Sequence, residues 1–127
     1  MEKLSHSQED YLEEIYVQVL NNGFAKVTDI AKSLNVKKAS VTAALIQLTN
    51  KGLINYSPYS SITLTLDGEK QAKKILKKHK ILNELFSEVL NLNDASQIAC
   101  EVEHLISDKN VEKITKFISN YKAIMKN

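Results

Sequence analysis

Three glycines and one proline in 127 residues leave this chain few places to interrupt a helix. Proline removes a backbone donor, and glycine costs conformational entropy, so their scarcity favours long helical segments. The apolar periodicity agrees, and the chain is expected to be mainly α. A first helix is expected over residues 7–21, with Leu12, Ile15, Tyr16 and Val19 inward and Asp10, Glu13 and Glu14 on its polar side. Ser7 followed by Asp10 has the form of a capping box, and Gly23 closes the helix.

Two short helices follow. The first spans residues 28–34, with Ile30, Ala31 and Leu34 inward. Asn35 and Val36 make a tight turn. The second spans residues 38–50, with Val41, Ala44, Leu45 and Leu48 as its core face and Gly52 just past its end. Two β-prone runs, residues 53–56 and 62–66, flank the turn-forming stretch Ser57-Pro-Tyr-Ser-Ser61. Two helices joined by a tight turn and then a small β-hairpin wing read as a winged helix-turn-helix. Thr65 is placed to cap a long helix over residues 67–90, which breaks at 91–94. Further helices are expected over 95–107 and 111–126, the last with Ile114, Phe117, Ile118 and Tyr121 as its stripe. The expected domains are a DNA-binding winged helix over residues 1–66 and an all-helical region over 67–127.

In a winged helix the second helix of the pair enters the major groove. Its exposed start would present Lys37, Lys38, Ala39, Ser40, Thr42 and Ala43. Lysines and hydroxyls there can meet phosphates, and the alanine methyls can meet thymine methyl groups. Ser60, Ser61 and Tyr59 at the wing tip, with Ser7, Lys26 and Thr28, complete the candidate DNA contacts. Residues 26–51 carry five lysines against one aspartate, and residues 70–80 carry six lysines and no acid. Clustered positive charge suits a polyanion, although a solvated helix face has the same composition. All 17 basic residues are lysine, so bidentate guanine readout by arginine is excluded. One small domain offers few contacts, and specific affinity usually comes from a dimer reading two half-sites.

Cys100, Glu103 and His104 bring three metal-ligand types within one turn of the expected 95–107 helix. Ile98, Val102, Leu105 and Ile106 would form its core stripe, with the three ligand types roughly 160° around the helix. Two readings stay open for them: a second packed face, or part of a metal site whose coordination sphere needs ligands from elsewhere. Cys100 is the only cysteine, so it forms no internal disulfide. No run approaches a membrane span. The N-terminus Met-Glu-Lys-Leu-Ser-His lacks the regions of a signal peptide, and a cytoplasmic location is the expectation.

The pieces, in order, resemble the diphtheria toxin repressor family of metal-dependent transcriptional regulators. The likeness runs from Ser7-Gln-Glu-Asp-Tyr-Leu-Glu-Glu-Ile-Tyr16 through Val27-Thr-Asp-Ile-Ala-Lys-Ser-Leu34, Ser40-Val-Thr42 and Lys51-Gly-Leu-Ile54. It continues in Leu64-Thr-Leu-Asp-Gly68, Lys78-His79 and the segment from Cys100 to Asp108. The resemblance implies metal ligands at Asp10, His79, Cys100, Glu103 and His104, with Glu13 matching a ligand of the manganese-sensing branch. It also implies that metal ties the first helix to the Cys100 helix and favours a DNA-binding homodimer. The second site of the iron-sensing branch looks incomplete, because Asn83 and Ser96 stand where a carboxylate and a histidine are needed. The manganese branch usually has a carboxylate at the Cys100 position, and the iron branch a methionine at the Asp10 position. The signatures are therefore mixed. The chain resembles a short form without the SH3-like domain of longer members.

The implied function is metal-dependent repression through a double-stranded DNA operator, controlling metal homeostasis genes in response to Fe²⁺ or Mn²⁺. Co²⁺, Ni²⁺ or Zn²⁺ could occupy the same donors in vitro. No membrane and no small organic substrate is expected as a partner, and no enzyme activity. Three other readings compete. A winged-helix regulator could answer oxidation of Cys100. A small metalloenzyme could use open metal positions, although no nucleophile motif or phosphate loop is present. A structural domain could use the same fold without touching DNA.

Overall fold

A computed structural model describes residues 4–58 and 60–126. Tyr59, placed by the sequence at the wing tip, lies outside the described residues. The chain divides into two compact units, one ending at Lys73 and one beginning at Lys74.

In the first unit, α1 (His6–Asn22), α2 (Val27–Leu34) and α3 (Lys38–Asn50) pack on one another. Their shared core is Leu12, Ile15, Tyr16, Ile30, Ala31, Val41, Ala44, Leu45 and Leu48, all buried. The cap of α1 corrects the expectation at Ser7. Ser5 is the N-cap: its Oγ accepts the Gln8 N–H at 3.1 Å, and Gln8 Oε1 accepts the Ser5 N–H at 3.0 Å. Glutamine can reach back in this way as well as an acid, so the box starts two residues earlier and Ser7 lies inside the helix. Gly23 (φ 86°) closes α1 in the left-handed region. Asn35 (φ 54°) makes the turn between α2 and α3, a conformation asparagine tolerates better than most residues.

The wing is shorter than its β-prone runs. Strands β1 (Ile54–Asn55) and β2 (Thr63–Leu64) pair antiparallel, Ile54 opposite Leu64 and Asn55 opposite Thr63. Ala25, from the loop after α1, adds an unforeseen rung: it exchanges two backbone hydrogen bonds with Ile62, at 2.8 and 2.9 Å. Thr65 caps the next helix, α4 (Leu66–Glu84), as expected. Its Oγ1 accepts the Gly68 N–H at 3.0 Å and donates to the Gly52 carbonyl at 2.7 Å. Here the backbone approaches so closely that a Cβ on Gly68 would stand 1.8 Å from the Leu53 carbonyl oxygen.

The second unit holds the rest of α4, a π-helical turn at Leu85–Val89, α5 (Ala95–Val102) and α6 (Asp108–Met125). Both α5 and α6 pack against the π turn. The long helix therefore ends in a widened turn that the periodicity did not reveal. Asn91 and Asp94, both at positive φ, make the break before α5.

Four expectations for this unit are overturned. The Cys100 helix stops at Val102, five residues early: Glu103 caps it, and the Leu105 N–H turns back to the Val102 carbonyl at 2.8 Å. A wheel of 100° per residue fails beyond that point. Ala95, Ala99 and Glu103 are the buried positions, whereas Leu105 is 84% exposed. The small alanine side chains let α5 approach its neighbours, and the larger apolar residues lie to the side. α6 starts earlier than expected because Ser107 caps it, accepting the Asn110 N–H at 3.2 Å. Val111 and Ile118 form its buried face, while Phe117, expected inward, is exposed. Among the described residues, no helix is long and apolar enough to cross a membrane.

Candidate metal centre

The end of α5 and the middle of α4 build a compact donor cluster in the second unit. Ligand atoms of His79, Cys100 and Glu103 lie within 4.8 Å of one another. His79 Nδ1 faces Glu103 Oε1 at 3.4 Å, and the two side chains are 22% and 1% exposed. Cys100, on the outer side of α5, is exposed. Glu103 still has helical backbone and continues the buried face of Ala95 and Ala99 at i, i+4 and i+8, while Cys100 lies at the edge of that face.

Burial lowers the pKa of His79 below its ordinary 6.5, so the imidazole is neutral near pH 7. The His79–Glu103 contact is therefore not a charged ion pair at that pH. The Nδ1 of His79 is buried and makes no hydrogen bond to another described residue. A neutral imidazole with an available ring nitrogen, a carboxylate and a thiol is the donor chemistry that a divalent transition metal satisfies. The residues present fit such an ion.

His104 is half-buried and lies outside this group of three. Asn83 and Ser96 supply no carboxylate or imidazole. In the first unit, Asp10 and Glu13 stand one turn apart on α1, both partly exposed. Asp10 Oδ2 lies 3.5 Å from Nε2 of His6. His6 was not among the sequence candidates, although its i, i+4 spacing to Asp10 on a helix was visible. A groove of about 510 Å³ runs between α4 and α6, with Lys74, Lys77 and Lys116 on its walls beside Asp108 and Glu112. It contains none of the three clustered ligands, and its mixed charge marks no single-sign site.

The candidate DNA contacts gather on the first unit. Lys37 is the N-cap of α3, and Lys38, Ala39, Ser40 and Ala43 are exposed along its start. Thr42 is half-buried and donates to the Lys38 carbonyl at 3.1 Å, which occupies its hydroxyl within the helix. Ser7, Thr28, Ser60 and Ser61 are exposed. The Ser60 hydroxyl donates to the Ser57 carbonyl at 2.7 Å and so shapes the wing turn. Lys26 is exposed with its ammonium 5.4 Å from the Phe24 ring centre. Other lysines are already engaged: Lys51 donates to Gln8 Oε1 at 2.9 Å and Lys73 pairs with Glu69 at 3.1 Å.

A winged helix-turn-helix joined to a helical unit is the architecture of a DNA-binding transcriptional regulator. Residues 3–62 match the N-terminal DNA-binding domain of the iron dependent repressors, and residues 65–123 match their metal binding and dimerisation domain. The chain belongs to the iron-dependent repressor family and is a metal-dependent transcriptional repressor, not an enzyme. It is 43% identical over 122 residues to an uncharacterised HTH-type transcriptional regulator of Methanocaldococcus jannaschii, covering 94% of this chain and 98% of that one. It is 35% identical over 115 residues to the HTH-type transcriptional regulator MntR of Lysinibacillus sphaericus, covering 88% and 81%. The crystal structure of T. acidophilum IdeR superposes with a TM-score of 0.79 at 26% identity, covering 94% of this chain and 56% of that chain. The manganese regulator SloR superposes at 0.78 with 25% identity, covering 88% and 53%. This chain thus spans about half the length of those solved chains. The family is the one the sequence resembles, and the two matched domains account for the DNA-binding and divalent-metal-binding capacities.

Proposed function

We propose that this repressor responds to Fe²⁺ or Mn²⁺ through His79, Cys100, Glu103 and His104, and that it acts as a cytoplasmic homodimer on an operator. The observation that carries the metal assignment is the clustering of His79, Cys100 and Glu103 within 4.8 Å, with His79 held neutral by burial. Cys100 would bind as a thiolate, Glu103 as a carboxylate and both histidines as neutral imidazoles. Asp10 and Glu13 are proposed as further ligands on the family resemblance alone. A thiolate and imidazoles suit Fe²⁺, Co²⁺, Ni²⁺ or Zn²⁺, and the carboxylates make Mn²⁺ acceptable. SloR is a manganese regulator, which supports Mn²⁺ as one of the two signals.

Metal acts as a corepressor only if it binds the DNA-competent arrangement more tightly than the others. By linkage, DNA must then raise metal affinity by the same factor. The homodimer is supported by the surface of α6. Phe117, Tyr121 and Ile124, at i, i+4 and i+7, form an apolar stripe beside the buried face, and Phe117 and Ile124 are exposed by 55% and 72%. Phe117 and Tyr121 stack with ring centres 6.4 Å apart. On the DNA side, Lys37, Lys38, Ala39, Ser40 and Ala43 would meet the major groove. Lys26, Thr28, Ser7 and the wing serines would meet the backbone.

Substitution of Cys100 tests the metal reading. Cys100→Ala is expected to weaken Fe²⁺ and Co²⁺ binding more than Mn²⁺ binding, measured by anaerobic calorimetry, because the softer donor favours the later metals. Equal losses for all three ions would remove Cys100 as the selectivity element.

A further inference from the structure

One lysine of the 70–80 run faces inward. Lys78 is 19% exposed at its side chain, whereas Lys73, Lys74, Lys77 and Lys80 are exposed. Its ammonium donates to the Ile106 carbonyl at 2.8 Å and pairs with Asp108 Oδ1 at 3.2 Å. These two acceptors bracket Ser107, the N-cap of α6. A single charge thus grips the α5–α6 junction on both sides of the residue that starts α6. Glu103 and His104 lie in that junction, between the last turn of α5 and the grip. The next residue of α4, His79, is the one that faces Glu103.

We infer that Lys78 is a positioning residue for the metal-binding side chains: it pins the α5–α6 junction to α4 and so sets Glu103 opposite His79. The inference rests on the metal reading above. Consecutive residues of one helix turn hold two points of the same short loop. Lys78 adds a direct tie between α4 and the α5–α6 junction to the packing of α5 at Ala95 and Ala99. The bond to Ile106 is charge-assisted and mostly withdrawn from water, which makes it stronger than an exposed ion pair. Asp108 adds less, because its side chain is 68% exposed. The role differs from that of a polyanion contact, which needs a free ammonium in solvent.

The test compares wild type with Lys78→Met, which keeps the stem and removes the charge, and with Lys78→Arg, which restores donors. Lys78→Met is expected to weaken Mn²⁺ binding about tenfold in calorimetry, the low end for loss of a group that orients a ligand. In the metal-free protein, the amides of residues 103–108 are expected to exchange faster, while those of α1–α3 are unchanged. Lys78→Arg should recover part of both effects. Should Lys78→Met fail to fold, Asp108→Asn serves instead, with an expected loss of about threefold. Wild-type Mn²⁺ affinity in a folded Lys78→Met protein, or in Asp108→Asn where that variant stands in, would overturn the inference. So would unchanged exchange at 103–108. If wild type itself binds no Mn²⁺, the metal reading fails and this inference falls with it, a result distinct from an effect-free substitution.

Discussion

His79 and Glu103 face each other at 3.4 Å, a neutral imidazole against a carboxylate that is 1% exposed. Neither residue carries an apolar side chain, yet α4 and the end of α5 meet at them. His79 holds a buried ring nitrogen towards two other ligand types.

That arrangement predicts a pH dependence for the metal-free protein. Burial lowers the pKa of His79 from 6.5, so below about pH 6.5 the unfolded chain takes up a proton that the folded chain still refuses. Above that value both states are neutral at this group and it contributes nothing. As pH falls through and below it, stability is lost. Melts at about pH 7.5 and about pH 5.5 should show a larger drop for wild type than for His79→Gln. Equal drops would mean that burial does not set the titration of His79. Metal binding, which needs the neutral ring, should lose the His79 donor only at lower pH, as the folded protein passes through its lowered His79 pKa.

Gly68 is fixed by approach rather than by torsion. A Cβ there would stand 1.8 Å from the Leu53 carbonyl oxygen, a backbone atom that cannot swing away. Gly68→Ala is expected to cost about 1–3 kcal/mol, as overpacking does, despite alanine's better helix propensity. Denaturant unfolding would measure it. A neutral or stabilising result would mean that the wing and α4 separate more readily than the contact implies.

Exposure sorts the lysines. Lys38 is exposed on the start of α3, whereas Lys51 is half-buried and tied to Gln8. Lys38→Ala should weaken DNA binding and reduce the salt slope by about one. Lys51→Ala should change the slope less. A larger slope change for Lys51→Ala would move the DNA contact away from the start of α3.

The extent to which the sequence revealed these features follows from the range of each interaction. Helix α3 and its core face at Val41, Ala44, Leu45 and Leu48 were legible because period and caps are local. So were Gly23, Asn35 and Thr65, each a backbone requirement met by its own residue. The cap at Ser5 was misread because Ser7-Asp10 and Ser5-Gln8 both satisfy the local rule. The rung between Ala25 and Ile62 and the inward turn of Lys78 depend on partners distant in sequence, and nothing near them signals it. Cys100, Glu103 and His104 were legible as donors, but their geometry was not. The wheel assumed a helix to residue 107, and α5 ends at Val102. The buried face of α5 is Ala95, Ala99 and Glu103 rather than the stripe of larger apolar residues, so Cys100 and Glu103 stand with His79, and His104 lies outside that group of three.

The central claim is that divalent metal controls DNA binding. Its most direct test is fluorescence polarisation on a duplex that the protein selects from a random pool in Mn²⁺. Binding is compared in Mn²⁺, in anaerobic Fe²⁺ and in chelator, for wild type and Glu103→Gln. The account predicts tight wild-type binding with either metal and at least fivefold weaker binding in chelator, about 1 kcal/mol of coupling. Glu103→Gln should bind weakly in all three conditions. Equal wild-type affinity with metal and with chelator would contradict it.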